Sequence, residues 1–406
     1  MCAAPLPPQV LVKARATLPV IERLGFDLIL ERLFAARCLT LGVSDGDRKI
    51  LQVRNVAAAG RKARPLLGAE LGRYVLSRFC HAHRNSGRLC LLVPLHGYEA
   101  TVEDDAMAVA VARLCSPVTL DDVGDGVAMR DALRLLVAIG ALEQEGAEDP
   151  RLEIWEEHDL LFHLRARAGF HDHPSGATFR FGETRRMPPL RPEASRQAVP
   201  LCRPQGTPPP GSLFDVLERR RSTRDPAARA LTVEQLSSLL YHSARITHVQ
   251  ETPAGVVATR PFPSGGALQE LGLYLTVNRC QGLDRGCYRY DDLNHALDPV
   301  AADMGMLEHL LDGSAFSTML GRRPDVLVIM AGRIERLEVK YEGIVYSLML
   351  KHVGCVIQTF YLVATELDIG CCAVGDSNSA LFARATGIDA LIEPVLGELM
   401  LNGGPS

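Results

Sequence analysis

Lys340 and Tyr341 are the first residues to single out for chemistry. The 406-residue chain carries 44 lysines and arginines, yet its lysines are only Lys13, Lys49, Lys62, Lys340 and Lys351. Beyond residue 62, then, two side chains offer an amine that can release its proton. Guanidinium keeps its own at any pH a protein meets. A lysine that is desolvated or set among other cations drops its pKa toward neutrality, and a neighbouring tyrosine can share or relay the proton. The same dipeptide reads equally as a snorkelling lysine beside a packed tyrosine.

Three further clusters have a chemical reading. Arg219, Arg220, Arg221 and Arg224, with Ser222 and Thr223 between them, make a compact cationic segment. Guanidinium forks and hydroxyls are the donors a phosphate monoester accepts, although a basic helix end that complements the helix dipole looks alike. Pro263-Ser264-Gly265-Gly266 pairs two glycines, which permits unusual backbone angles and lets a flat ligand approach the main chain; a bare turn is the plainer reading. Gln358 is polar within an apolar stretch that runs on to Gly370 and Gly375, so its amide needs a partner, and a ligand is one candidate. The chain has neither a Walker phosphate loop nor a GxGxxG after a strand, which leaves a Rossmann nicotinamide site unsupported. His158 and His163 are five residues apart, not the four that sets two metal ligands on one helix face, and no metal is expected.

The elements that must position these residues follow from pattern. Ser212 caps a helix running to about Arg221, and Thr232 to Gln235 is a capping box that opens a helix over 233–244. Leu271 to Asn278 and Asp325 to Ala331 read as strands, and 342–369 as one long, largely apolar helix. Eight of the 25 prolines fall between Pro188 and Gly211, marking a linker. Upstream, residues 1–100 carry 15 basic and 7 acidic side chains, whereas residues 101–150 carry 3 and 11. Helical patterns at 105–115, from Thr119, and through Met129, Leu133, Leu136 and Val137 precede a turn at 143–146 that resembles a wing. The result resembles a winged helix, but its acidity argues against gripping phosphates and for a docking role. Trp155 to Arg167 reads as an amphipathic helix. Four segments are expected: an N-terminal lobe over 1–100, a winged-helix-like module over 101–150, a helix and linker over 151–210, and a catalytic domain over 211–406.

Composition narrows the class. A net charge of −4 excludes a globally basic nucleic-acid binder. Eleven scattered cysteines without a CxxC read as reduced thiols. By this reading no run approaches the ~18 apolar residues of a membrane span and no signal peptide is legible, so a cytoplasmic protein without membrane contact is expected.

Taken in order, the helix ending Arg220-Arg-Ser-x-Arg224, Pro263 to Gly266, Tyr288-Arg-Tyr-Asp291 with His295 and Leu297, Lys340-Tyr341, and Gly354 with Gln358, Gly370 and Gly375 resemble the nitroreductase-like flavoproteins. More narrowly, they resemble the SagB-type dehydrogenases, the azoline oxidases of thiazole- and oxazole-modified peptides. The resemblance covers about 211–406, and residues 158–163 with the winged-helix-like lobe resemble the N-terminal extension of larger members. It implies an α+β nitroreductase-like fold around a mixed sheet, in a homodimer with FMN at the interface. By the same resemblance Arg220, Arg221, Ser222 and Arg224 would hold the FMN phosphate. Pro263, Ser264, Gly265 and Gly266 would lie along the flavin, Gln358 and Gly375 would approach it, and Lys340 and Tyr341 would be catalytic. Expected partners are an azoline-containing peptide and a cyclodehydratase complex or carrier protein. Many relatives close the phosphate site with a basic residue near the C-terminus, and 401–406 offers none. An NAD(P)H-dependent nitro- or quinone reductase and a non-catalytic leader-peptide docking protein are the rival readings.

Overall fold

The computed structural model describes residues 29, 33–34, 38–56, 72–167, 169–171, 174, 209–224, 229–252, 255–319, 321–375 and 378–404. Nearly all of the proline-rich linker lies outside the described residues. The chain divides into two compact units, Met1–His173 and Pro174–Ser406.

The first unit contains β1 (Leu41–Asp45), β2 (Arg48–Asn55), β3 (Arg73–Leu76), β4 (His81–Asn85), β5 (Arg88–Val93), β6 (Tyr98–Val102), α1 (Asp105–Arg113), β7 (Val118–Thr119), α2 (Val127–Ala138), β8 (Leu142–Gln144) and α3 (Glu157–Ala166). Five strands form an antiparallel sheet in the order β1-β2-β6-β5-β4. Asp104 starts α1 by accepting the Met107 N–H at 3.2 Å, as an N-cap should. Leu133 and Leu136 on α2 join Leu51, Leu91, Tyr98 and Met107 in one core. Because that core draws on both sides of residue 100, the boundary expected there has no counterpart in the packing. The segment from Thr119 is a single 3-10 turn, Leu120–Asp122. The expected wing departs from pattern as well: β8 pairs with β3, seventy residues upstream, with β7 on the other edge of β3. A local pattern holds no signal for so distant a partner. Trp155 precedes α3 and is buried, and the His163 ring packs between Trp155 and Phe170.

The second unit runs α4 (Leu213–Arg219), β9 (Leu231–Thr232), α5 (Val233–Ala244), β10 (His248–Thr252), β11 (Gly255–Thr259), β12 (Leu271–Val277), β13 (Cys280–Gln281), β14 (Gly286–Asp291), β15 (Ala296–Val300), α6 (Met304–Ser317), β16 (Val326–Gly332), α7 (Glu335–Glu338), α8 (Val345–Glu366), β17 (Gly370–Val374), α9 (Ser379–Thr386) and β18 (Val395–Asn402). The Thr232–Gln235 capping box forms with both its bonds, at 3.2 and 3.1 Å. The main sheet has the order β15-β14-β12-β16-β18-β17, and each of its described pairings is antiparallel where a mixed sheet was expected. Every residue of β12, β16 and β18 is buried. These strands lack polar alternation because both faces are covered. Leu307, Leu310 and Leu311 of α6 pack with Leu327 and Ile329 of β16, and α8 lies against β12, β17 and β18. A Cβ on Gly397 would come within 2.7 Å of Val353 Cγ1, so glycine there lets α8 sit close to the sheet.

By length and composition α8 could cross a membrane, contrary to the expectation that no run was long enough. Here it is a core helix, packed on the sheet and against α4 and α5. Its outer face, with Ser347, Lys351, Gly354 and Gln358, is exposed.

Candidate active site

Two clusters of the expected residues assemble in the second unit. The first is the segment after α4. Ser212 caps that helix by accepting the Asp215 N–H at 3.2 Å. Arg219 is taken up locally by Asp215 and Glu366. Thr223 N–H donates to the Cys371 carbonyl at 2.9 Å, which ties the segment to β17. Ser222 Oγ lies 2.8 Å from the Tyr361 hydroxyl, and Arg220 lies over the Tyr361 ring at 5.4 Å. Tyr361 also accepts the Ala373 N–H at 2.8 Å. Burial raises the Tyr361 phenol above its ordinary pKa, so it stays protonated at neutral pH. Arg220, Arg221 and Arg224 make no ion pair among the described residues. Three unneutralised guanidinium groups and a hydroxyl on one short segment form a donor set that fits a phosphate. Gly375 follows β17 directly and is exposed.

The second cluster surrounds Gly265 and Gly266. A Cβ on Gly266 would lie 2.6 Å from Lys340 Nζ and 3.0 Å from the Tyr341 hydroxyl, so both polar ends converge on its α-carbon. Gly266 is exposed and has a φ of 61°, and Ala267 and Gln269 are also left-handed, at 57° and 50°. Such angles are costly away from glycine and persist only where the surroundings impose them. Gln269 is imposed upon from both ends: its N–H donates to Ser264 Oγ at 3.1 Å and its Nε2 to the Ala258 carbonyl at 3.0 Å. Arg336, one helical turn before Lys340, donates Nε to the Leu268 carbonyl at 2.6 Å and Nη2 to the Val256 carbonyl at 3.1 Å. This buttress holds the loop and the Lys340 segment to one another.

Below the loop lies a buried network that sequence reading missed. Ser264 Oγ donates to Glu270 Oε2 at 3.1 Å, and His352 Nδ1 donates to Glu270 Oε1 at 2.6 Å. His352 Nε2 accepts the Gly265 N–H at 2.8 Å, which fixes the proton on Nδ1. The Ser264 hydroxyl and the Gly265 amide, both expected along a flavin, therefore already have partners within the chain. Gly266, Lys340 and Tyr341 are left as the open polar edge. The signals for the missed pair were faint: an acidic residue just before an apolar strand, and a histidine on the apolar side of a helix.

Gln358 is exposed on α8 and makes no hydrogen bond among the described residues, so its amide is met by solvent and not by a buried group. The Tyr288 to Asp291 segment is β14, and His295 staples it to α5: Nδ1 meets Tyr290 at 2.8 Å and Nε2 meets Ser237 at 3.0 Å. Burial pushes the Tyr290 phenol up to about 12. His295 thus acts in the scaffold and not in the cluster.

His352 and Tyr361 belong to one helix and serve different clusters. Nine residues at 3.6 per turn is about two and a half turns, so the two side chains leave α8 on opposite sides. They stand at the two margins of its buried stripe, with the exposed face of Ser347, Lys351, Gly354 and Gln358 between them on the outside.

Residues 217–401 match the nitroreductase family, and residues 74–172 match the cyanobactin oxidase ThcOx family. A Methanocaldococcus jannaschii protein that bears the nitroreductase name is 29% identical over 163 residues, covering 40% of this chain and 78% of its own length. Among solved structures, the Escherichia coli microcin synthetase McbBCD complex with truncated pro-MccB17 bound is similar at 21% identity. That match has a TM-score of 0.40 and covers 64% of this chain and 99% of the other. A Desulfovibrio desulfuricans structure, described as a nitroreductase in complex with FMN, is similar at 14% identity, with a TM-score of 0.31 over 49% of this chain and 89% of the other. Fold and family match define an oxidoreductase of the nitroreductase-like class. A ThcOx-type segment precedes that nitroreductase-type domain in the chain, the order of parts that the resemblance to SagB-type dehydrogenases leads one to expect.

Proposed function

We propose that this protein is an FMN-dependent dehydrogenase that oxidises thiazoline or oxazoline rings in a peptide to thiazole or oxazole, with oxygen as the final electron acceptor. The observation that carries the reading is the convergence of Lys340 Nζ and the Tyr341 hydroxyl on Gly266. Aromatising such a ring removes one proton and one hydride. Bound FMN would supply the two-electron acceptor, chemistry the side chains lack. Lys340 and Tyr341 would take the proton at the open edge of the Gly266 loop. Arg220, Arg221, Arg224 and Ser222 would hold the phosphate. The buried Glu270–His352 pair keeps the loop in place beneath them. The ThcOx-type segment supports a peptide-borne ring as substrate and a docking role for the first unit, toward the peptide, a cyclodehydratase or a carrier protein.

The opposed clusters on α8 support a homodimer. A second copy seated on the exposed face between them would bring its Gly266 loop toward this chain's arginines, giving one site from two half-sites. An NAD(P)H-dependent nitro- or quinone reductase is the second reading, favoured by the nitroreductase name of the archaeal relative.

The decisive experiment is mass spectrometry of a synthetic azoline peptide incubated with the FMN-loaded protein in air. Loss of about two mass units per ring, the two hydrogens removed, is expected. Unchanged peptide alongside steady NADPH oxidation would establish the reductase reading instead.

A further inference from the structure

We infer that Tyr361 is a positioning residue for the anion cluster: it donates its hydroxyl proton to Ser222 Oγ and so turns the Ser222 hydroxyl outward as a donor to a bound phosphate. The inference deepens the FMN reading and rests on its phosphate assignment.

The direction of the Ser222–Tyr361 bond follows from counting protons. Only one hydrogen can lie between the two oxygens, which are 2.8 Å apart. The Tyr361 oxygen already accepts the Ala373 N–H at 2.8 Å. If Ser222 donated to it as well, the phenolic hydrogen would have no acceptor among the described residues. Tyr361 is only 7% exposed, so water is a poor substitute for that acceptor. A buried donor without a partner costs about 1–3 kcal/mol, whereas the reverse direction leaves the Tyr361 hydroxyl fully paired. With Tyr361 as donor, the Ser222 hydrogen is free to leave the Tyr361 axis. Ser222 is half-buried, in the same short segment as Arg220, Arg221 and Arg224. A serine in that state gives a hydrogen bond to an anion, which a serine bound to a tyrosine oxygen cannot. The ring of Tyr361 meanwhile underlies Arg220, so one side chain sets both a charge and a hydroxyl.

The test compares dissociation constants for FMN and for riboflavin, which lacks the phosphate, by flavin fluorescence on the full-length protein stripped of flavin. Tyr361→Phe keeps the ring under Arg220 and removes only the hydroxyl. Its expected effect is about tenfold weaker FMN binding, the size of one hydrogen bond to a charged group, with riboflavin unchanged. In a Ser222→Ala background the same change should have no further effect on FMN. Equal weakening of both ligands means that Tyr361 acts only through the Ala373 strand, and overturns the inference. So does a Tyr361→Phe protein that still discriminates as the wild type does. A wild type that binds FMN no better than riboflavin overturns the phosphate assignment itself, and the inference with it.

Discussion

His352 Nδ1 lies 2.6 Å from Glu270 Oε1, and the two residues are only 6% and 0% exposed. The far nitrogen of the same ring holds the Gly265 amide. A carboxylate in the core of the second unit is thus connected, through one imidazole, to the backbone of the loop that faces Lys340 and Tyr341. Replacing His352 by Leu leaves Glu270 buried with only the Ser264 hydroxyl. The expected loss is about 3 kcal/mol of stability, read as a lower urea midpoint by far-UV circular dichroism. A change under 1 kcal/mol would mean that the pair is not closed in solution.

Gly266→Ala separates fold from activity. The substitution strains a left-handed residue by about 1–2 kcal/mol and places a methyl group 2.6 Å from Lys340 Nζ, closer than the two can pack. Because that nitrogen ends a flexible side chain, it can move away cheaply. The melting temperature should fall only modestly while turnover drops by at least an order of magnitude. Retained turnover would show that the Lys340 position is not critical.

Lys340→Arg keeps a positive charge and loses the removable proton. Turnover should fall about as far as in Lys340→Met, by roughly 10²–10⁴, because a guanidinium cannot act as base. Substantial rescue by arginine would assign Lys340 an electrostatic role.

Arg220→Ala with Arg224→Ala should yield a folded but colourless protein. Both side chains are without ion-pair partners among the described residues, so stability should change by no more than about 0.5 kcal/mol for each. Purified protein that keeps flavin at wild-type stoichiometry would place the phosphate elsewhere.

How much of this was legible in sequence depended on distance along the chain. The capping box of Thr232 and Gln235 spans three residues, and both of its bonds form as read. The all-buried run of β16 was legible because burial on both faces leaves no alternation to find. Lys340 and Gly266 were each singled out, but only the buttress of Arg336 on the Leu268 and Val256 carbonyls brings their segments together. Glu270 and His352 are 82 residues apart, and neither has a distinctive neighbourhood. Strand order was equally hidden: β8 turns back to β3, a pairing between segments whose local patterns are independent.

Acid should weaken the first unit through His163. Burial, with Arg167 adding to it, lowers this imidazole from its ordinary 6.5 to about 3. The unfolded chain therefore binds a proton that the folded unit refuses between those two values. Stability from this group is complete above about pH 6.5 and declines as pH falls, approaching about 1.4 kcal/mol per pH unit near pH 5. Trp155 is the only tryptophan of the chain, and its ring lies 5.6 Å from that of His163, so its fluorescence reports the unfolding directly. The urea midpoint should drop between pH 7 and pH 5, and His163→Phe should flatten the slope. An equal slope in that variant would assign the acid sensitivity to other groups.

The opposed faces of α8 have a genetic consequence under the shared-site reading. An allele damaged only at Arg220 and Arg224 and another damaged only at Lys340 carry their lesions in different halves of a site. Each alone gives pairs with no whole site. Expressed together, a third kind of pair forms in which one site collects both lesions and the other collects neither. Two inactive alleles would then complement within a single gene, with a ceiling near a quarter of normal output for random pairing.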